Sequence, residues 1–268
     1  MAFLKILKIV SYLFPYIGAR WALKLFLTPR RFNRPESEKD WFNSADKKTL
    51  LCGYAINCWG NKSDPKILLV HGWEGRGAQL GAFAGPLVAQ NFYVIALDGP
   101  AHGDSPGTQT NAGVFSKSLY EVQKELGDIH SVIAHSFGGG CALIATRLGF
   151  VTKKIVTIAS PSDYLQVVNS FFDFVKVSPF SKKMAFQILE KKAGLKVSEI
   201  NIASISQNLK IPGLIVHDEN DKEVLSKNAL VLNQAWPGSQ ILMTQGLGHR
   251  RILKDTFVID EIIDFVKS

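Results

Sequence analysis

The sequence predicts an α/β fold, a mostly parallel central sheet flanked by helices, with a small helical cap inserted above it. Three observations carry that expectation. From residue 49 onward, short apolar runs alternate with stretches of helical periodicity, the order left by repeated strand–helix–strand units. Several runs, Ile67-Leu68-Leu69-Val70 among them, are apolar without alternation, as expected of strands covered on both faces. The chain of 268 residues, 46% hydrophobic and 20% charged, is long enough to bury a core without covalent or metal cross-links. Its three cysteines, Cys52, Cys58 and Cys141, are odd in number and form no C-x-x-C pair. They read as small buried hydrophobes of a reducing compartment.

Taken in order, strands are expected at Leu50–Cys58, Lys66–His71, Phe92–Leu97, Ser131–His135, Lys154–Ala159, Gly213–His217 and Gln240–Thr244. Helices are expected at about Gln79–Gln90, Val114–Leu126, Phe137–Leu148, Lys222–Gln234 and Arg251–Val266. One interval breaks the rhythm. Between Ala159 and Gly213 about fifty residues intervene, far more than a crossover needs. They carry helical patterns at Tyr164–Val175 and Lys182–Lys192 and read as a cap over about residues 161–209. Its expected place is above the carboxyl edge of the sheet, where ligands sit in open α/β sheets. Phe171, Phe172, Phe174, Val175, Val177 and Phe180 make this cap strongly apolar. Some of them pack on the domain, and a surplus lining a pocket would favour an apolar acyl or aryl group.

Residues 1–48 form a separate basic, amphipathic segment ahead of the main domain, residues 49–268. The segment holds ten of the 31 Lys/Arg and four of the 23 Asp/Glu, so it carries +6 of the net +8 and leaves the rest at +2. Such a distribution argues against nucleic acid, whose partners spread basic residues over a folded face. The longest uncharged run near the start, Ile9 to Ala19, is too short to span a bilayer. Lys5, Lys8, Ser11 and Tyr12 share one helical face, Pro15 interrupts, and a second amphipathic stretch runs from about Ala19 to Leu27 before Arg30, Arg31 and Arg34. Three readings stand: peripheral contact of residues 1–34 with a membrane surface, packing on the domain or a second subunit, and a secretion signal without a convincing cleavage site. The expected location is the cytoplasm, with attachment at the membrane surface as the favoured reading.

The strongest chemical signal is Ala134-His135-Ser136-Phe137-Gly138-Gly139, which ends an apolar strand and opens a helix. A serine at a tight strand–turn–helix corner is exposed for nucleophilic attack, and only small residues fit two before and two after it. Here those are Ala134 and Gly138. Two further blocks follow their own strands: His71-Gly72-Trp73-Glu74-Gly75, and Asp98-Gly99-Pro100-Ala101-His102-Gly103-Asp104-Ser105. After later strands come His217-Asp218-Glu219-Asn220-Asp221-Lys222-Glu223-Val224 and Gln245-Gly246-Leu247-Gly248-His249. The six histidines show no H-E-x-x-H or comparable spacing, so neither a metal nor another cofactor is expected.

In this order, these blocks resemble the α/β-hydrolase superfamily over roughly residues 49–268, with Ala101 and Ala134 standing where glycine is usual. The resemblance implies an α/β-hydrolase fold of the esterase/lipase-like kind and a chain order of nucleophile, acid, histidine. It places the nucleophile at Ser136, the base at His249 and the acid at Asp221, with Asp218 and Asp163 as rivals for the acid. The backbone amides of Trp73 and Phe137 would form the oxyanion hole, and the Asp98–Ser105 block would brace the surrounding loops. Glu74 and Arg76 are expected to pair with each other. The implied activity is cleavage of a small-molecule carboxylic ester or thioester, expected to be apolar, through an acyl-enzyme. Amide or peptide cleavage, C–C bond hydrolysis and acyl transfer use the same residues. A noncatalytic binding protein on this fold is the reading from another class.

Overall fold

The structure, a computed structural model, describes residues 2–193 and 196–268; residues 1, 194 and 195, within the expected N-terminal segment and cap, lie outside the described residues. The chain opens with three helices, α1 (Ala2–Leu13), α2 (Pro15–Leu27) and α3 (Glu36–Asn43). Pro15 supplies the break expected of it by standing at the first turn of α2, where its missing N–H costs nothing. A hairpin follows, β1 (Lys47–Leu51) and β2 (Tyr54–Trp59), then β3 (Lys66–Val70), a 3₁₀ turn over Gly77–Phe83, α4 (Ala84–Val88) and β4 (Tyr93–Leu97). Next come α5 (Ala112–Leu126), β5 (Ile129–His135), α6 (Phe137–Arg147) and β6 (Thr152–Ile158). The cap holds α7 (Tyr164–Val175), α8 (Pro179–Ala193), a 3₁₀ turn at Val197–Glu199 and α9 (Ile202–Ser206). The chain ends with β7 (Gly213–Asp218), α10 (Lys227–Ala235), β8 (Ser239–Thr244), α11 (Gly248–Arg251) and α12 (Thr256–Lys267).

Among the described residues the strands form one eight-stranded sheet in the order β1-β2-β4-β3-β5-β6-β7-β8. β2 runs antiparallel to both β1 and β4, and the neighbours from β4 to β8 are parallel. Side chains alternate across it: Leu68 and Val70 of β3 enter one core with α5, α6 and α10, while Ile67 and Leu69 enter the other with α4 and α12. Each core is apolar because helices cover both faces of the sheet, which is why the strands read as unbroken hydrophobic runs.

Four expected elements need correction. The single strand Leu50–Cys58 is a hairpin, because Cys52 (φ 51°) and Gly53 (φ 82°) make a two-residue left-handed turn of the kind that reverses twisted strands. The stretch Gln79–Gln90 divides into the 3₁₀ turn and the short α4. The helix placed at Lys222 begins at Lys227, because Asp221 accepts the amides of Glu223 and Val224 and holds that stretch as a loop. The helix placed at Arg251 divides into α11 and α12, the latter capped by the Asp255 carboxylate on the Val258 amide.

A third apolar cluster joins the N-terminal helices to the cap. Leu7, Ala19, Ala22, Leu23 and Leu27 pack with Val168, Phe172, Val175, Ala185 and Leu189. At the crossing, a Cβ on Gly18 would collide with the Ser11 backbone. The Ser11 carbonyl accepts hydrogen bonds from the Ser178 and Ser181 hydroxyls at 2.6 and 2.9 Å, and the Ser11 hydroxyl accepts the Ser178 amide at 2.9 Å. Ser11 is therefore fully buried, although at helical spacing it shares a face with Lys5 and Lys8.

Candidate active site

Ser136 stands between β5 and α6 with φ 52° and ψ −122°, a conformation that costs a non-glycine residue roughly 1–3 kcal/mol and is held by its surroundings. Those surroundings are tight. The Ser136 amide donates to the Ile158 carbonyl at 2.8 Å, and the Gly139 amide donates back to the Ser136 carbonyl at 3.0 Å. A Cβ on Gly138 would strike the His71 carbonyl, and one on Gly139 the Ser160 hydroxyl. Ala134, in the position where glycine is usual, fits with its methyl fully buried in the sheet core.

Two loops from distant strands meet this serine. His249 Nε2 lies 3.0 Å from Ser136 Oγ, and His249 Nδ1 lies 2.7 Å from Asp221 Oδ2. Asp221 follows β7 and His249 sits in α11 after β8, so the parallel order of the sheet brings their loops to the same edge. Ser136 and His249 are half-buried, whereas Asp221 is buried. Burial pushes the Asp221 carboxyl up, but bonds from His217, His249 and the Val224 amide outweigh it and hold it well below the usual carboxylate range. It is a fixed anion facing the imidazole.

The two rival carboxylates are elsewhere engaged. Asp218 accepts the Thr244 hydroxyl and the Leu247 amide at 2.9 Å each and the Asn220 amide at 3.0 Å, which ties β7 to the histidine loop. Asp163 caps α7 through the Leu165 amide at 2.8 Å.

The loop carrying Trp73 is braced from below. Gly99 N–H donates to His71 Nε2 at 2.9 Å, so His71 carries its proton on Nδ1 and donates to the Gly72 carbonyl at 2.6 Å. Gly75 N–H also donates to that carbonyl at 3.0 Å. In a planar trans peptide the C=O and the next N–H point opposite ways, so fixing the Gly72 oxygen fixes the direction of the Trp73 N–H. Gly72 allows the close approach: a Cβ there would lie 3.0 Å from Ser136 Cβ. His102 accepts the Glu74 amide on Nε2 at 3.0 Å and sits 2.9 Å from the Pro100 carbonyl through Nδ1. Asp98 accepts the Gly77 and Asp104 amides at 2.7 and 2.8 Å. The Asp98–Ser105 block thus supports the loop that carries Trp73. Phe137 opens α6, its ring edge-on to that of Trp73 at 5.2 Å.

Glu74 and Arg76 do not pair with each other. Glu74 binds Arg30 at 2.8 Å, and Arg76 binds Glu38 at 2.7 Å while donating to the Phe32 carbonyl at 2.5 Å. Arg31 donates to the carbonyls of Gly103, Ser105 and Gly107. The segment between α2 and α3 is therefore a strap across the loops beside the serine, a long-range relation that local sequence does not reveal.

Two residues of the site escaped the sequence reading. His135 Nε2–H donates to the His249 carbonyl at 2.9 Å, and the two rings lie 4.7 Å apart. Burial and the neighbouring His249 push its pKa down to about 3, so it is a neutral donor at neutral pH. His217 Nε2 donates to the Val224 carbonyl at 2.8 Å and lies 3.4 Å from Asp221 Oδ2. Adjacency to Ser136 was a signal for His135, and its place at the head of the block that carries Asp221 was one for His217.

Clefts of about 570 and 610 Å³ lie elsewhere, one beside Thr146 and Leu209, the other along the strap. Neither includes Ser136 or His249, so the candidate site rests on the hydrogen-bonded chain and not on cleft size. Among the described residues no group of three or more His, Cys, Asp or Glu side chains could hold a metal ion.

The chain is similar to known proteins to different depths. A serine hydrolase-like protein of Homo sapiens is 32% identical over 90 residues, 32% of this chain and 44% of that protein. One from Dictyostelium discoideum is 23% identical over 198 residues, 70% of this chain and 53% of that protein. The chain thus spans about half, or less, of the length of the curated relatives it matches. An esterase from Exiguobacterium antarcticum superposes with a TM-score of 0.62 at 15% identity, covering 81% of this chain and 97% of that one. A 2-hydroxy-6-oxo-6-phenylhexa-2,4-dienoate hydrolase from Rhodococcus sp. strain RHA1 does so with 0.61 at 16%, covering 80% and 94%. At these identities the likeness shows the fold, which hosts more than one reaction. The sequence model of the Alpha/beta hydrolase family matches residues 67–202, about half of the chain and the stretch from β3 through the nucleophile corner into the cap, and the chain belongs to that family.

Proposed function

We propose that this protein is a serine hydrolase that cleaves a carboxylic ester or thioester through an acyl-enzyme on Ser136. The observation that carries the reading is the unbroken chain Asp221–His249–Ser136, at 2.7 and 3.0 Å. A serine hydroxyl is a weak nucleophile until a base accepts its proton in the transition state. His249 Nε2 is that base: it takes the proton as Oγ bonds to the carbonyl carbon, then gives it to the leaving alcohol or thiol. Water repeats the cycle in reverse roles, and the acid is released. Asp221 fixes the ring tautomer and stabilises the imidazolium. The amides of Trp73 and Phe137 receive the oxyanion, each worth roughly 3–4 kcal/mol of barrier in such sites.

An apolar acyl group suits the walls. Phe26 of α2 lies 4.9 Å from Phe171 of the cap and 6.5 Å from Trp73, joining the N-terminal helices, the cap and the oxyanion loop in one aromatic surface. The test is labelling with a fluorophosphonate, followed by hydrolysis of p-nitrophenyl esters of increasing chain length. Wild type is expected to label and to prefer medium or long acyl chains, and Ser136→Ala to do neither. No labelling of wild type, or equal labelling of the variant, overturns the proposal; a preference for acetate overturns the apolar substrate class alone.

A further inference from the structure

The first acidic residue of the chain is Glu36, and seven Lys/Arg precede it. Three of these are engaged within the fold: Arg30 on Glu74, Arg34 on Asp104, and Arg31 on three carbonyls. The other four, Lys5, Lys8, Arg20 and Lys24, are exposed on α1 and α2 and meet no carboxylate among the described residues. They flank an apolar surface. With Leu7, Ser11, Ala19, Ala22 and Leu23 turned into the cap, the opposite sides of the two helices present Ile6, Ile9 and Leu13, then Ile17, Trp21 and Leu25, between 38% and 66% exposed. The spacing, three to four residues, repeats along both helices, so each exposes an apolar stripe beside its basic residues.

We propose that this face docks the protein on an anionic lipid surface, with α1 and α2 lying in the plane of the interface. Helices of 12 and 13 residues extend only about 20 Å, and none among the described residues is long and apolar enough to cross a membrane. A shallow apolar stripe rimmed by cations fits the headgroup boundary: the stripe enters the acyl region while lysine and arginine stems reach back to phosphate. Trp21 belongs to the residue type that favours this boundary. A second copy is the poorer occupant, since a two-fold contact would set four uncompensated cations against four more. Phe174 and Phe180 of the cap, 70% and 71% exposed, add apolar surface on the helices against which α1 and α2 pack.

Docking is independent of the reaction at Ser136, so its test separates from that of the hydrolase. Full-length protein, wild type and Ser136→Ala, is sedimented with vesicles of phosphatidylcholine and of equimolar phosphatidylcholine and phosphatidylglycerol. Both forms are expected to bind the anionic vesicles alone and to be released by salt. Replacing Lys5, Lys8, Arg20 and Lys24 by Gln together should lower that partition roughly 100-fold or more, and Ile9→Ser with Trp21→Ser should abolish it. All six positions are exposed, and an unchanged melting temperature verifies the fold; should a variant unfold, the salt dependence of wild type still decides. Absence of wild-type binding to anionic vesicles, or equal binding of the charge variant, overturns the proposal. So does a concentration-dependent dimer that is lost in the Ile9→Ser/Trp21→Ser variant while lipid binding is absent, which assigns the face to a second copy.

Discussion

Asp218 and Asp221 lie three positions apart at the end of β7, both buried, yet their oxygens face different partners. Asp221 faces His249 and two amides of its own turn; Asp218 faces Thr244 and the backbone of the histidine loop. Asp221→Asn should therefore lower kcat by about 10³–10⁴-fold, because the amide imposes the wrong tautomer on the imidazole. Asp218→Asn should act on stability first, by roughly 1–3 kcal/mol from weakened buried acceptors, with a much smaller loss of kcat. Steady-state kinetics and urea denaturation of the two variants separate the roles. Equal kcat losses would remove the distinction. The tight turn at Ser136 was legible locally, while the resemblance supplied the expectation for His249 and put Asp221 ahead of Asp218; side-chain direction, which only the folded turn sets, separates the two carboxylates.

At the scale of elements, the strap and the α3 helix that follows it each make an ion pair with the main domain, and the two are of unlike worth. Glu38 and Arg76 pair with side chains 8% and 9% exposed, whereas Arg30, at 73%, pairs with Glu74 in contact with solvent. Removing one partner of a buried pair strands the other charge. Glu38→Ala is thus expected to cost about 3 kcal/mol or more, and Arg30→Ala less than about 1 kcal/mol. Urea midpoints measure both, and equal small shifts would show that the strap contributes little. This element was invisible to periodicity: α3 is short and polar, and its anchor in the main domain is Trp41, which fills the space where a Cβ on Gly81 would be. The hairpin read as one strand failed for a related reason, since reversal at Cys52 and Gly53 changes direction without interrupting the apolar run.

At the scale of the whole molecule, three buried histidines, His71, His102 and His135, are neutral at neutral pH. Burial lowers His71 to about 4 and His102 and His135 to about 3, against 6.5 when exposed. Between those values the unfolded chain binds protons that the folded chain refuses. Stability is therefore fully present above pH 6.5 and falls as pH drops toward 4. His71 alone accounts for roughly 3 kcal/mol over that window. Burial raises Asp98, which works the other way just above the ordinary carboxylate range, while Asp221, held low, withdraws further stability below it. Urea midpoints are expected to be level above neutrality and to fall steadily from pH 6.5 to 4; a level profile down to pH 4 would contradict the neutral assignment of these histidines.

By itself, the sequence determined most of the strands of the sheet and the tight turn at Ser136, because these are written in local periodicity and turn chemistry; the order of its motif blocks carried the resemblance to the family. The tertiary structure decided which carboxylate meets His249, which partners Glu74 and Arg76 take, and that α1 and α2 pack onto the cap. Those outcomes depend on surfaces brought together from opposite ends of the chain, and no local pattern encodes which distant surface will complement another.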